Sequence, residues 1–137
     1  MKVKVIKFKE DIKLPFRAHY NDAGADVYAL EDYVIPAHTT VKLPLGFGIE
    51  LPDGFQANVY PRSGLTSKGI ISQLPPIDSG YTGEIHAILT NTTDESYIVH
   101  KDDKIAQLVV TPIILVDYVL QLGEERGANG FGSTDNK

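Results

Sequence analysis

Thr40-Val41-Lys42-Leu43-Pro44-Leu45-Gly46-Phe47-Gly48-Ile49-Glu50-Leu51-Pro52-Asp53-Gly54-Phe55-Gln56-Ala57-Asn58-Val59-Tyr60 holds three short apolar runs, broken at Pro44 and at Pro52-Asp53-Gly54. Runs this short, rich in aliphatic and aromatic residues and bounded by proline and glycine, read as strands joined by tight turns. The same rhythm extends outward. Upstream lie Val3 to Phe8 and Tyr33 to Ile35; downstream lie Ile85 to Thr90, Tyr97 to Val99 and Ile105 to Leu122. Pro36, Asn91-Thr92-Thr93-Asp94, Asp102-Asp103 and Pro112 mark the breaks. No long stretch shows a 3.6-residue apolar period, so the chain is expected to be an all-β sandwich or jelly roll. At most one short helix is expected, near Ser63, where Ser63-Gly64-Leu65-Thr66-Ser67-Lys68 follows Pro61 and Ser63 is placed as the N-cap.

A chain of 137 residues with 42% hydrophobic content fits one domain that buries its own core. From Gly123 the sequence turns polar and glycine-rich, which divides the chain into a β domain over 1–122 and a mobile tail over 123–137. With no Cys, disulfides and thiolate zinc sites are excluded and a reducing, cytoplasmic location is permitted. His19, His38, His86 and His100 show no zinc-binding spacing and read as ordinary surface or core residues. Met1-Lys2-Val3-Lys4-Val5 alternates charge with aliphatic side chains, as an edge strand does and a signal peptide does not. No run is long enough to cross a membrane. The net charge of −5, with lysines 2, 4, 7, 9 and 13 gathered at the start, leaves the remainder acidic and disfavours nucleic-acid binding. A polyphosphate ligand would therefore be held by a few specific cations, helped by Mg²⁺.

Several short stretches carry chemistry. In Ile77-Asp78-Ser79-Gly80-Tyr81-Thr82-Gly83-Glu84 one carboxylate stands in a glycine-flanked turn behind Pro75-Pro76, with a phenol ring three residues on. That suits a general base held at a fixed distance from a water, although a plain hairpin turn is the commoner use of Asp-Ser-Gly. Pro61-Arg62-Ser63-Gly64-Leu65 closes an apolar strand and opens a helical turn whose N–H groups and hydroxyl can face an anion. Ala23-Gly24-Ala25-Asp26-Val27 sets Asp26 among small residues, where it can hold a metal-bound water or serve an Asx turn. Lys104-Ile105-Ala106-Gln107-Leu108 places a lone amide in an apolar strand, and a buried amide needs partners. In the tail, Phe131 offers a ring for stacking, Gly132-Ser133-Thr134 offers donors for phosphate, and Arg126 offers a bidentate cation.

Taken in order, these five stretches resemble the five motifs of the homotrimeric dUTPase family, from about Ala23 to Thr134. The resemblance implies a distorted jelly roll, a β-clip barrel, that hydrolyses dUTP to dUMP and pyrophosphate, limiting uracil in DNA and supplying dUMP for dTMP synthesis. It implies that Asp78 deprotonates a water for in-line attack on the α-phosphorus. Arg62, Ser63, Gly64, Lys68, Gln107 and Arg126 would surround the triphosphate with Mg²⁺ bridging its oxygens, and Asp26 would meet the metal through water. Tyr81 would pack on the deoxyribose and reject a 2′-hydroxyl, while Gln73, Ile77 and the hairpin from about Ile70 read the base. Phe131, with Gly132, Ser133 and Thr134, would close over the bound nucleotide. Three chains would build each site: one giving the phosphate motifs, a second Asp78 and Tyr81, a third the tail.

The chain departs from the family pattern in two places. Ser72 and Pro75 stand where Asn and Gly are common, and Asp102-Asp103-Lys104 stands where Gly-Asp-Arg is usual. A related deaminase of dCTP shares the fold, but its catalytic Glu would fall at Ile88, which cannot relay protons. A noncatalytic module that keeps the pocket as a switch for a regulatory protein partner is the alternative of another class; an intact Asp78 argues that hydrolysis persists beside any such role. A purely structural jelly roll leaves the tail unexplained.

Overall fold

The computed structural model describes residues 1–123, so the expectations for Arg126, Phe131, Gly132, Ser133 and Thr134 lie outside the described residues. Within that span the chain forms β1 (Lys4–Lys7), β2 (Ala25–Tyr28), β3 (Tyr33–Ile35), β4 (Thr39–Pro44), β5 (Phe47–Glu50), β6 (Phe55–Tyr60), α1 (Ser63–Thr66), β7 (Ile70–Ser72), β8 (His86–Asn91), β9 (Tyr97–Val99) and β10 (Lys104–Pro112). The expected all-β architecture with one short helix is what the chain adopts. Two three-stranded sheets, β2-β10-β6 and β4-β8-β7, are joined by the pairs β1-β5 and β3-β9. All of these pairings are antiparallel.

One core draws on all four sheets. In β8, burial alternates strictly, sending Ala87, Leu89 and Asn91 inward and His86, Ile88 and Thr90 outward, as the two-residue side-chain period requires. Phe47 and Ile49 of β5, Val27 of β2, Ile35 of β3, Val99 of β9 and Leu108 of β10 complete the interior. Pro44 lies in β4, an edge strand, where its missing N–H leaves no gap inside a sheet.

Asn91 is the polar centre of this interior and is completely buried. Its Nδ2 donates to the carbonyls of Ile35 at 2.9 Å and Glu95 at 2.8 Å. Its Oδ1 accepts from the Thr93 N–H at 2.9 Å and the Thr93 hydroxyl at 2.7 Å. Two donors and two acceptor positions are thus matched, so the amide fastens the β8–β9 connection to β3 without a desolvation penalty.

Three details differ from the sequence reading. Ser63 is the first helical residue and not the cap: Arg62 occupies the cap position in an extended conformation, and no side chain caps the helix. A guanidinium has donors only and cannot accept a helix N–H, and that of Arg62 pairs with Asp26. The apolar run from Ile105 continues to Leu122, yet the strand stops at Pro112. Beyond it Ile114, Leu115, Tyr118, Val119, Leu120 and Leu122 are exposed, an apolar arm that leaves the body after the Ile113 N–H bonds the Gly54 carbonyl at 2.8 Å. Finally, Asp26 does not serve the Asx turn considered for it: it is a strand residue whose carboxylate faces Arg62 and Lys104.

Replacing Asn91 by Ala removes the amide donor to the buried Ile35 carbonyl and the acceptor of Thr93, and opens a small void. We expect a loss of about 2–4 kcal/mol of stability, read as a lowered midpoint in urea unfolding at unchanged slope.

Candidate active site

The phosphate-type residues are assembled by strand register. Gln107 of β10 lies opposite Asp26 of β2 on one side and Tyr60 of β6 on the other. Tyr60 leads directly into Pro61-Arg62-Ser63. Gln107 Nε2 donates to the Pro61 carbonyl at 2.9 Å, fastening the start of α1 to the sheet. Arg62 Nε lies 3.3 Å from Asp26 Oδ1, and Lys104 Nζ lies 3.6 Å from Asp26 Oδ2. The Arg62 guanidinium also donates to the Lys104 carbonyl at 3.4 Å. Asp26 is largely shielded, at 14% side-chain exposure, so this pairing fixes Arg62 against the sheet. Gly24 is required here, because a Cβ at that position would collide with the Gln107 amide. Asp26, Arg62, Ser63 and Gln107 line one open cleft of about 340 Å³ with Gly24 and Asp22. Lys68 and Gly64 face an adjoining cleft that shares Arg62.

Asp78, Tyr81, Gln73 and Ile77 line a different cleft, of about 230 Å³. No residue borders both this cleft and the Asp26–Gln107 cleft. Ile77 and Ala57 exchange backbone hydrogen bonds at 2.7 and 3.1 Å, which docks the catalytic-type loop on β6. Arg62 lies five residues beyond Ala57, roughly 16 Å of extended chain away. One chain therefore brings Arg62, Ser63 and Gln107 together and brings Asp78 and Tyr81 together, but does not join the two groups.

The loop after Asp78 is held closely. The Tyr81 N–H bonds the Asp78 carbonyl at 3.0 Å. The Tyr81 hydroxyl donates to the Glu84 carbonyl at 2.7 Å, laying the ring over Gly83, where an added Cβ would stand 2.7 Å from that hydroxyl. Glu84 Oε2 accepts from the Gly46 N–H at 2.8 Å, and Ile85 bonds both Phe47 and Leu45. Gly48 of β5 faces the Gly83 carbonyl so closely that any side chain there would collide with it. Nearby, burial and then the carboxylates of Glu31 and Glu84 raise the Tyr33 phenol above its ordinary value, keeping it neutral.

Sequence reasoning missed several residues that shape this cleft. Asn58 is buried and its amide donates to the Leu74 carbonyl at 3.2 Å and the Pro75 carbonyl at 3.4 Å, orienting the segment before Asp78. The run Phe55 to Tyr60 holds two amides, Gln56 and Asn58, a polar interruption of the kind that marked Gln107. Lys42, Glu84 and His86 also border the cleft, and no motif marks them. Gln73 points its amide to the Thr90 hydroxyl at 3.1 Å, and Ser72 bonds the Val59 carbonyl at 2.8 Å. The Asp102 departure has a backbone reason. Asp102 adopts φ 71°, the left-handed region that glycine enters freely and Asp tolerates better than most residues.

Comparison with known proteins identifies the family. The dUTPase family model matches residues 10–135. The deoxyuridine 5′-triphosphate nucleotidohydrolase of Clostridium tetani is 44% identical, over 98% of this chain and 95% of that protein. The enzyme of the same name from Paramecium bursaria Chlorella virus 1 is 42% identical, over 95% of each. Among solved structures, a mutant dUTPase of Staphylococcus aureus phage phi11, which coordinates a structural Mg(II) ion, superposes with a TM-score of 0.82 at 23% identity, covering 90% of this chain and 98% of that one. A mutant dUTPase of Staphylococcus phage 80alpha superposes with a TM-score of 0.85 at 24% identity, covering 97% and 98%. At those identities the structural likeness is one of fold, whereas the matches along the sequence span nearly the whole chain. The chain belongs to the dUTPase family.

Proposed function

We propose that this chain hydrolyses dUTP to dUMP and pyrophosphate, with Asp78 as the base that takes a proton from water for in-line attack on the α-phosphorus. The observation that carries this reading is the convergence of Asp26, Arg62, Ser63 and Gln107, from three distant stretches of sequence, on one open cleft, in a chain 44% identical to a deoxyuridine triphosphate nucleotidohydrolase. Charge grows on the phosphoryl oxygens as the bond to the leaving pyrophosphate breaks. Fixed donors lower that barrier most when their positions are set beforehand. Arg62 held by Asp26, and Gln107 held by Pro61, meet this requirement, with Ser63, Gly64 and Lys68 completing the phosphate contacts.

Because the base and these donors face separate clefts in one chain, the reading requires neighbouring copies. We assign the phosphate residues to one protomer, Asp78, Tyr81, Gln73 and Ile77 to a second, and the tail from Gly123, with Arg126, Phe131, Gly132, Ser133 and Thr134, to a third, in a homotrimer. The exposed apolar arm from Ile114 to Leu122 supports this, since so much uncovered aliphatic surface is favourable only against a partner. The Tyr81 ring, fixed by its bond to Glu84, is the group that refuses a 2′-hydroxyl. Ile88 at the edge of the same cleft is apolar where a deaminase would need a carboxylate. The substrate belongs to the cytoplasmic nucleotide pool. A regulatory protein partner is a second role that leaves the hydrolytic residues intact.

The donor set tells how Mg²⁺ would be held. Both Asp26 oxygens face cations, and among the described residues no three His, Cys, Asp or Glu side chains gather at one point. Mg²⁺ demands six oxygens, so the phosphates and water would supply most of them and Asp26 would reach the ion through a water. When bound, the ion neutralises charge on the phosphoryl oxygens.

Asp78→Asn is expected to keep nucleotide binding while kcat falls about 10³-fold or more; near-normal pyrophosphate release by that variant removes Asp78 from the base role. Across dUTP, UTP, dTTP and dCTP, with and without Mg²⁺, turnover should be confined to dUTP. Truncating Tyr81 to Ala should narrow the dUTP-to-UTP ratio of kcat/KM by about tenfold, and an unchanged ratio would show that another group rejects the ribose.

A further inference from the structure

We propose that Asp53 is a positioning residue for the reaction, holding the loop that carries Asp78 through the Ser79 hydroxyl; this rests on the reading of Asp78 as the base. Among the described residues the Asp78 carboxylate takes no hydrogen bond, so its place is set by the backbone beneath it. That backbone is fixed upstream by the two-way pairing of Ile77 with Ala57 and downstream by Tyr81 and Glu84. Between those anchors lie Asp78, Ser79 and Gly80. There the described structure offers one tie to the rest of the fold: Ser79 Oγ donates to Asp53 Oδ1 at 3.0 Å. Gly80, with nothing within van der Waals reach of a Cβ, adds no packing of its own.

Asp53 is mounted on a stiff support. It lies in the turn Pro52-Asp53-Gly54 between β5 and β6, strands whose Phe47, Ile49, Ala57 and Val59 are core residues. Proline restricts the entry to this turn, and Gly54 takes φ 90°, a conformation that favours glycine. A hydroxyl donating to an ionised carboxylate makes a charge-assisted bond, stronger than one between neutral groups. The same turn accepts the Ile113 N–H through the Gly54 carbonyl at 2.8 Å, so the loop of Asp78 and the root of the apolar arm are tied to one short piece of chain. A base must meet its water at hydrogen-bond distance, and a displacement of about 1 Å can cost on the order of a hundredfold in rate. Asp53 touches neither water nor nucleotide in this scheme; it prevents that displacement.

The test is a double-mutant cycle on the full chain, with dUTP turnover and thermal unfolding measured for Asp53→Ala, Ser79→Ala, their combination and Asp53→Asn. Each single Ala variant should lose about ten- to a hundredfold in kcat with KM changed by less than about threefold. Unfolding midpoints should stay within about 2 °C of the parent, since both side chains lie at the surface. The combined variant should be no slower than the slower single one, because the two side chains make one bond. Asp53→Asn, which retains an oxygen to accept the hydroxyl proton, should recover most of the lost kcat. Full activity in Asp53→Ala, multiplicative losses in the combination, or failure of Asn to restore the rate would each overturn the proposal. Asp78→Asn measured alongside separates the two ideas: if it is inactive while Asp53→Ala is fully active, the positioning role alone fails, and if it turns over normally the base assignment fails instead.

Discussion

The register of β10 is the constraint on which the cleft of Asp26, Arg62 and Gln107 depends. Between Lys104 and Ala106 its pairing with β2 shifts by one residue, and Ile105 and Ala106 are buried in succession where a regular strand would alternate. After the shift the alternation resumes with Leu108 inward and Gln107 outward, beside Asp26. Without the extra residue every side chain beyond it would change face, placing Gln107 in the core and Leu108 against Asp26. One bulge thus decides whether the amide, the carboxylate and the arginine that follows β6 belong to a single surface.

The second cleft depends on backbone proximity and not on a row of side chains. Gly48 lets β5 meet the Gly83 carbonyl directly, and the Glu84 carboxylate bridges to the Gly46 N–H across the same junction. The Tyr81 ring then has little freedom, being bonded through its hydroxyl to Glu84 and packed over Gly83. Asn58 does comparable work upstream by orienting the carbonyls of Leu74 and Pro75. Backbone bonds thus fix the shape of this cleft, and preorganisation lowers the cost of binding to such a surface.

Much of this was legible in the sequence because it rests on periodicity and punctuation. The runs Tyr33 to Ile35 and Tyr97 to Val99 are strands with those same ends, and Pro52-Asp53-Gly54 is the turn it resembles. Other features were hidden for physical reasons. Ala25-Asp26-Val27-Tyr28 carries too little apolar surface to announce β2, which forms because β10 supplies its partner. The hairpin expected from about Ile70 begins with a strand, Ile70 to Ser72, but its partner is the distant β8, a pairing that no local pattern shows. The end of β10 at Pro112 was obscured by the continuing aliphatic run, since composition cannot tell a covered strand from an uncovered one. Asp26, Arg62 and Gln107 were recognisable as separate candidates, but their contact follows from pairings between residues far apart in the chain. Glu84 and Asp53 act through single bonds to a backbone N–H or to a neighbouring hydroxyl, and no local pattern betrays such bonds.

The uncovered arm also bears on how the chain avoids self-association of the wrong kind. Ile113 to Leu122 joins β-branched, leucine and tyrosine residues in a run of the sort that stacks into cross-β ribbons. Its middle holds one acid, Asp117. In a parallel, in-register stack, neighbouring copies of that carboxylate would repeat every ~4.8 Å with no cation in the segment to neutralise them. A single gatekeeping charge thus burdens fibril-like stacking while leaving antiparallel or heterologous pairing with another surface free of that repulsion.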